Sequence, residues 1–246
     1  MKIGVCSITF RHKTVDEVIE IAKSVCLDAI EWGADVHVKP GDILHAQQVK
    51  QKTEAAKLEV SSYGSYYVVG KGEDVQPIVD TARALGAPSV RVWAGAKGSD
   101  TMSEEERRIV TEDLINIGER ACASRIRVDV EYHKGTLTDT PKSAERLMNE
   151  TNHENVRLYW QPAESISYEE RMASIEQLHT WTRHVHVFHW KDTTRLPLRD
   201  GAENWQRYID QLAGADRYFL LEFVRGNDDQ QFLDDARVLK KWLSRK

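Results

Sequence analysis

The run HVHVFHWKD, His184 to Asp192, decides how the chain is read. It has the length and apolar content of a short buried strand, His184 to Trp190, closed by the charged pair Lys191 and Asp192. Side chains alternate across a strand. Val185, Val187 and His189 therefore share one face, and His184, His186, Phe188 and Trp190 share the other. A polar residue at the C-terminal end of an otherwise apolar strand face is where a parallel barrel carries its chemistry. This reading puts His189 in the site and gives His184 and His186 structural roles. Three other runs end alike: VDVEYH places Glu131, LYWQP places Gln161 and FLLEFV places Glu222.

Outward from that strand the same rhythm repeats. Strand-like runs fall at Ile3–Phe10, Asp28–Gly33, Val60–Tyr67, Ser89–Gly95, Arg127–His133, Val156–Gln161, His184–Trp190 and Tyr218–Val224. Helical segments separate them. Thr14 is placed to cap the first, Ser103 and Glu106 have capping-box spacing, and Thr140-Pro141 opens another with Pro at its first position. Eight strands alternating with helices, about 30 residues apart, predict one (β/α)8 TIM-barrel domain over residues 1–246. A doubly wound sheet would carry a Gly-rich phosphate loop after its first strand, and SITFRHKT has none.

The net charge of -5 argues against a nucleic-acid surface. Three widely spaced cysteines, Cys6, Cys26 and Cys122, read as free thiols of a reducing compartment. No segment resembles a signal peptide or a membrane span, so the expectation is a cytoplasmic protein. Aromatic residues in the loops leave a homodimer open.

Glu131 and Glu222 end strands that a barrel buries on both faces. Buried carboxylates need a cation or a hydrogen-bond network. With an amide oxygen and an imidazole they make a mostly oxygen site, suited to Mn, Mg or Co, with Zn admitted. Taken singly, each of the four is as easily a satisfied core residue. Together, at the ends of strands five to eight, Glu131, Gln161, His189 and Glu222 predict a divalent-metal centre.

On EYH at Glu131, FHWKD at His189, Arg195 six residues later and LLEFV at Glu222, the chain resembles the xylose-isomerase-like sugar isomerases and epimerases over nearly its whole length. The resemblance implies metal ligands Glu, Asp, His and Glu from these four strands, with manganese the expected ion. Gln161 stands where Asp is usual, and Glu164 where many members have a substrate-touching His. One carboxylate fewer leaves a more neutral centre, which should bind metal more weakly and polarise substrate more strongly.

Around the mouth, Trp32, His37, Tyr63, Arg91, Trp93, His133, Lys191 and Arg195 are candidate substrate contacts. Aromatic faces and polar groups together suit a sugar. For Trp32, Tyr63 and Trp93 the alternative is barrel packing, and Trp160 and Trp190 are expected to face the helices. The reading is a metal-dependent isomerase or epimerase of a keto sugar, with Glu131 and Glu222 as the acid/base pair across an enediolate. The same intermediate serves a dehydratase or lyase on a keto sugar or keto cyclitol. A catalytically silent sugar-binding barrel is the reading outside enzymes. A phosphodiesterase is disfavoured, because SSYGSYY and RVWAG offer no early His ligands.

Overall fold

The computed structural model of the protein describes residues 1–163 and 166–244. The barrel strands are β1 (Lys2–Cys6), β2 (Ala29–Gly33), β3 (Glu59–Val68), β4 (Ser89–Trp93), β5 (Arg127–Glu131), β6 (Val156–Trp160), β7 (Thr182–Val187) and β10 (Tyr218–Leu221). They close in the order β1-β10-β7-β6-β5-β4-β3-β2, every pair parallel. All eight C-terminal ends therefore open on one rim.

Helices α1 (Val15–Ser24), α2 (Ile43–Ala55), α3 (Gln76–Leu85), α4 (Glu104–Ala123), α5 (Pro141–Thr151), α6 (Tyr168–Leu178), α7 (Ala202–Leu212) and α8 (Asp229–Leu243) follow the strands in turn. Their starts are chemically marked. Thr14 with Glu17 and Ser103 with Glu106 form capping boxes, and Thr140 caps α5 ahead of Pro141. At the end of α3, Gly86 takes the left-handed conformation that an L side chain resists. Among the described residues no helix is long and apolar enough to cross a membrane.

Two expected strands end early. Ile3–Phe10 stops at Cys6 and turns into a 3-10 segment, Ser7–Phe10. There the Ser7 hydroxyl accepts the Gly33 N–H and locks the turn to the end of β2. The stretch read as His184–Trp190 stops at Val187, and Trp190–Lys191 (β8) pairs antiparallel with Thr194–Arg195 (β9). Asp192 opens the two-residue turn with φ +54°, as such hairpins require.

The barrel interior is polar. Asp129, Tyr159, His184, His186, Glu31, Arg91 and Glu131 are all buried. The apolar layer lies between strands and helices, where Val185, Val187, Trp160 and Trp205 belong to the main core cluster. Trp160 packs there as expected, its indole N–H donating to the Ser174 hydroxyl at 2.8 Å.

Candidate active site

The site is built at the rim from the last inward residue of each strand. On β7 the face that turns inward is the one carrying His184 and His186, because Val185 and Val187 join the outer apolar layer. His186 Nδ1 lies 3.3 Å from Gln161 Oε1, 3.6 Å from Glu131 Oε1 and 3.4 Å from Glu222 Oε2. Ligands bound at about 2.1 Å sit roughly 3.0–3.4 Å apart around an octahedral or tetrahedral ion. The three oxygens therefore stand from His186 Nδ1 at nearly the spacing that ligands of one ion keep.

The other nitrogen is held from behind: His186 Nε2 is 3.4 Å from Glu31 Oε2. A carboxylate behind a histidine is the usual support for a metal-ligating imidazole. Glu31 in turn accepts from the Ser62 hydroxyl at 2.9 Å and from Arg91 Nε at 2.9 Å. Ser62 continues to the Tyr159 hydroxyl at 2.6 Å. Gly64 leaves room for this network, since a Cβ there would meet Arg91 Nη2 and Glu31 Oε1, each at 2.8 Å.

The electrostatics divide the carboxylates. Burial opposes ionisation of Glu131, but Arg91 and His186 outweigh it and hold its carboxyl at about 2. Its Oε2 receives Arg91 Nη1 and the Trp93 indole N–H, leaving Oε1 toward the cavity. Burial likewise opposes Glu31, and Arg91 and His186 again win, well below the usual carboxylate range. Glu222 goes the other way: burial, helped by the negative charge of Glu131, raises it despite His186. Three buried carboxylates thus face one guanidinium and one imidazole. One carboxylate stays uncompensated unless it carries a proton or a further cation is bound, a costly state in a buried site. Donor chemistry, spacing and charge all fit a divalent ion on Glu131, Gln161, His186 and Glu222.

Above these donors opens a cavity of about 330 Å³. Its wall is aromatic and cationic: Tyr66, Trp93, Phe188, Trp190 and Phe223, with Arg11, His133 and Lys134. Tyr66 and Phe223 both have left-handed backbone, φ +56° each, which costs energy and turns their rings to the cavity. Tyr66 sits where β3 slips register against β4, the usual place for a strand to re-aim a side chain.

Several sequence expectations are corrected. His189 does not reach the donors. It shares the outer face with Val185 and Val187, and its ring lies where a Cβ on Gly201 would be, 2.7 Å from Nδ1. It borders a small recess with Arg171, Trp205 and Tyr208. His186, read as structural, occupies the centre instead. Trp32 is fully buried and donates to Thr53 of α2, Tyr63 donates to the Val38 carbonyl, and His37 binds the Lys13 carbonyl. Each lies outside the cavity, on the helix side of its strand or in a loop beside it. Lys191 is exposed on the β8–β9 hairpin and lines nothing. Arg195 stands behind the wall, its guanidinium 4.5 Å from the Phe223 ring and 5.3 Å from Trp190. Trp190 was expected at the helices and lines the cavity. Arg91, Trp93 and His133 do reach it, His133 with its ring 5.3 Å from Trp93. Glu164 lies outside the described residues.

Cys6, Glu31, Arg11 and Phe223 were not singled out by sequence reading as site residues. Val185 and Val187 alternate with His184 and His186, and a strand buried on both faces accepts valine on either, so the run alone leaves the inward face open.

Residues 19–242 match the family described as the xylose isomerase-like TIM barrel. The chain belongs to that family. Among curated proteins it is 24% identical to a 3-dehydroshikimate dehydratase of Bacillus anthracis, over 97% of this chain and 96% of that protein. Among solved structures it resembles the probable 3-DHS dehydratase of Bacillus anthracis, with TM-score 0.85 and 22% identity over 98% of this chain and 99% of that one. It also resembles the D-allulose 3-epimerase of Methylomonas sp., with TM-score 0.77 and 14% identity over 98% of each chain. At these identities the structural likeness speaks for the fold.

Proposed function

We propose that the protein is a metal-dependent enzyme that moves a proton next to the carbonyl of a hydroxylated ketone, and that its reaction is loss of water from a ring keto acid. The observation that carries this reading is the gathering of three oxygen donors within 3.6 Å of His186 Nδ1 at the floor of an open cavity. A divalent ion on those donors supplies positive charge where an enediolate builds up negative charge.

The carboxylates take different parts. Glu131 is fixed as an anion by Arg91 and Trp93 and serves as a ligand. Glu222, whose affinity for a proton is raised, is the proton carrier. It takes the proton from the carbon between ketone and hydroxyl. The C–O bond at the next carbon then breaks, and the hydroxide leaves as water with the proton Glu222 returns. In a ring that already holds one double bond, enolisation of the product gives an aromatic diol.

Two features favour dehydration over epimerisation. The curated relative matched end to end at 24% identity is named as a 3-dehydroshikimate dehydratase. The cavity wall offers flat aromatic faces and the cations Arg11 and Lys134, which suit a planar acid better than a flexible polyol. Epimerisation of a keto sugar is the second reading, favoured by the shared fold of the epimerase.

The test offers purified protein with Mn²⁺ first 3-dehydroshikimate and then D-allulose or D-fructose in D₂O. Appearance of a catechol chromophore with the first supports the dehydratase. Deuterium entering an unchanged-mass ketose skeleton without loss of water points to epimerisation. Neither reaction, with metal bound, overturns the enzymatic assignment.

A further inference from the structure

The donors described so far leave out a thiol in the same centre. Cys6 ends β1, fully buried, with its register partner Glu31 on one side and the end of β10 on the other. Its sulfur donates to Glu31 Oε1 at 3.2 Å. Cys6, His186 and Glu222 each turn one ligating atom inward, and these atoms lie within 4.8 Å of one another. His186 and Glu222 are thus common to two donor sets. One is completed by the oxygens of Glu131 and Gln161, the other by sulfur.

We infer that Cys6 supplies a thiolate to this centre and that Cys6, His186 and Glu222 capture thiophilic divalent ions, Zn²⁺ and Cd²⁺, in competition with the oxygen-preferring ion. Soft sulfur selects such ions, whereas carboxylate and amide oxygens suit Mn²⁺ and Mg²⁺. Because two donors are shared, the sets exclude each other: a captured Zn²⁺ keeps the oxygen-preferring ion out of the centre. The inference rests on the metal reading above, and the experiment separates the two.

The test uses Co²⁺ as the probe, added to the metal-free full chain. Cys26 and Cys122, both exposed, are first replaced by serine so that no other sulfur contributes. Ligand-field bands in the visible report that cobalt is bound; a sulfur-to-cobalt charge-transfer band in the near ultraviolet reports the thiolate. Both are expected with Cys6 present. Cys6→Ser should abolish the charge-transfer band and keep the ligand-field bands. Ligand-field bands with no charge-transfer band in the Cys6 protein overturn this inference and leave the oxygen site standing. A charge-transfer band that survives Cys6→Ser overturns it as well. No bound cobalt at all overturns both readings. Should Cys6→Ser not fold, cadmium NMR of the unsubstituted protein reads the same ligand, a resonance shifted to the sulfur range supporting it and one in the oxygen and nitrogen range overturning it.

Discussion

At Glu222 the whole proposed reaction hangs on one carboxyl oxygen. Glu222→Gln keeps shape and burial and removes the proton acceptor. With substrate and Mn²⁺ present, kcat should fall by roughly 10²–10⁴-fold while KM changes little, the range general base catalysis supplies. An unchanged kcat would move the base elsewhere. The two histidines of the His184–Asp192 run give a second contrast. His186 Nδ1 faces Gln161, Glu131 and Glu222, whereas His189 packs against Gly201. His186→Ala should therefore leave the purified, dialysed protein without stoichiometric metal, and His189→Ala should keep it. The opposite result would restore His189 as the ligand. Gln161 gives a third. Replacing it with Asp adds a negative charge beside the other donors, so metal affinity measured by titration should rise; no change would mean the buried charges of Arg91 and Glu31 already set the balance.

At the scale of elements, the lesson of β7 is one of parity. The strand was visible in the sequence, and so were the glutamates at the ends of β5 and β10, because strands buried on both faces rarely end in a carboxylate without a reason. Which face turned inward was not fixed by the run alone: a one-residue choice exchanges every side chain between core and cavity. Trp32 and Tyr63 went astray for the same reason, since aromatic rings suit either face. Glu31 as the brace of His186 was not legible, because that pairing spans 155 residues and no local pattern announces it. The β8–β9 hairpin was hidden too, being only two residues a side. It matters because it carries Trp190 into the cavity wall and Arg195 onto Phe223, with Arg195 Nη1 donating to Asn227 at 2.8 Å. Cation–π stacking at a partly exposed site contributes about 0.5–1 kcal/mol. Arg195→Ala should accordingly loosen the wall and raise KM roughly two- to fivefold by the same measure, with kcat nearly intact. A large loss in kcat would instead place Arg195 at the reacting atoms.

For the molecule as a whole, the polar barrel interior makes stability depend on pH, and one contributor is a group below the catalytic layer. His184 is fully enclosed by strands, beside Asp129, Arg127 and the rings of Tyr159 and Tyr218. Arg127 Nη2 donates to its Nε2 at 3.0 Å, so that nitrogen carries no proton. Burial, against the pull of Asp129, lowers its pKa from 6.5 to about 4. A depressed histidine gives stability that is complete above the unfolded value of 6.5 and is lost as pH falls toward 4. The loss is on the order of 3 kcal/mol by that linkage. Other groups act in or near this window: His37 and His189, also lowered by burial, act with His184, and Glu222, raised by burial, acts against it. Asp235 is raised by burial from 3.8 to about 6, so its contribution grows as pH falls through that range and partly offsets His184. The wild-type profile therefore mixes all of these, and the informative quantity is a difference. His184→Gln retains an acceptor for Arg127 and cannot titrate. Melting temperatures of the two proteins, measured from pH 7 to pH 4, should converge as the pH drops, because only the wild type loses the histidine contribution. Parallel curves would mean that His184 takes up its proton without cost and that the lower barrel is open to water.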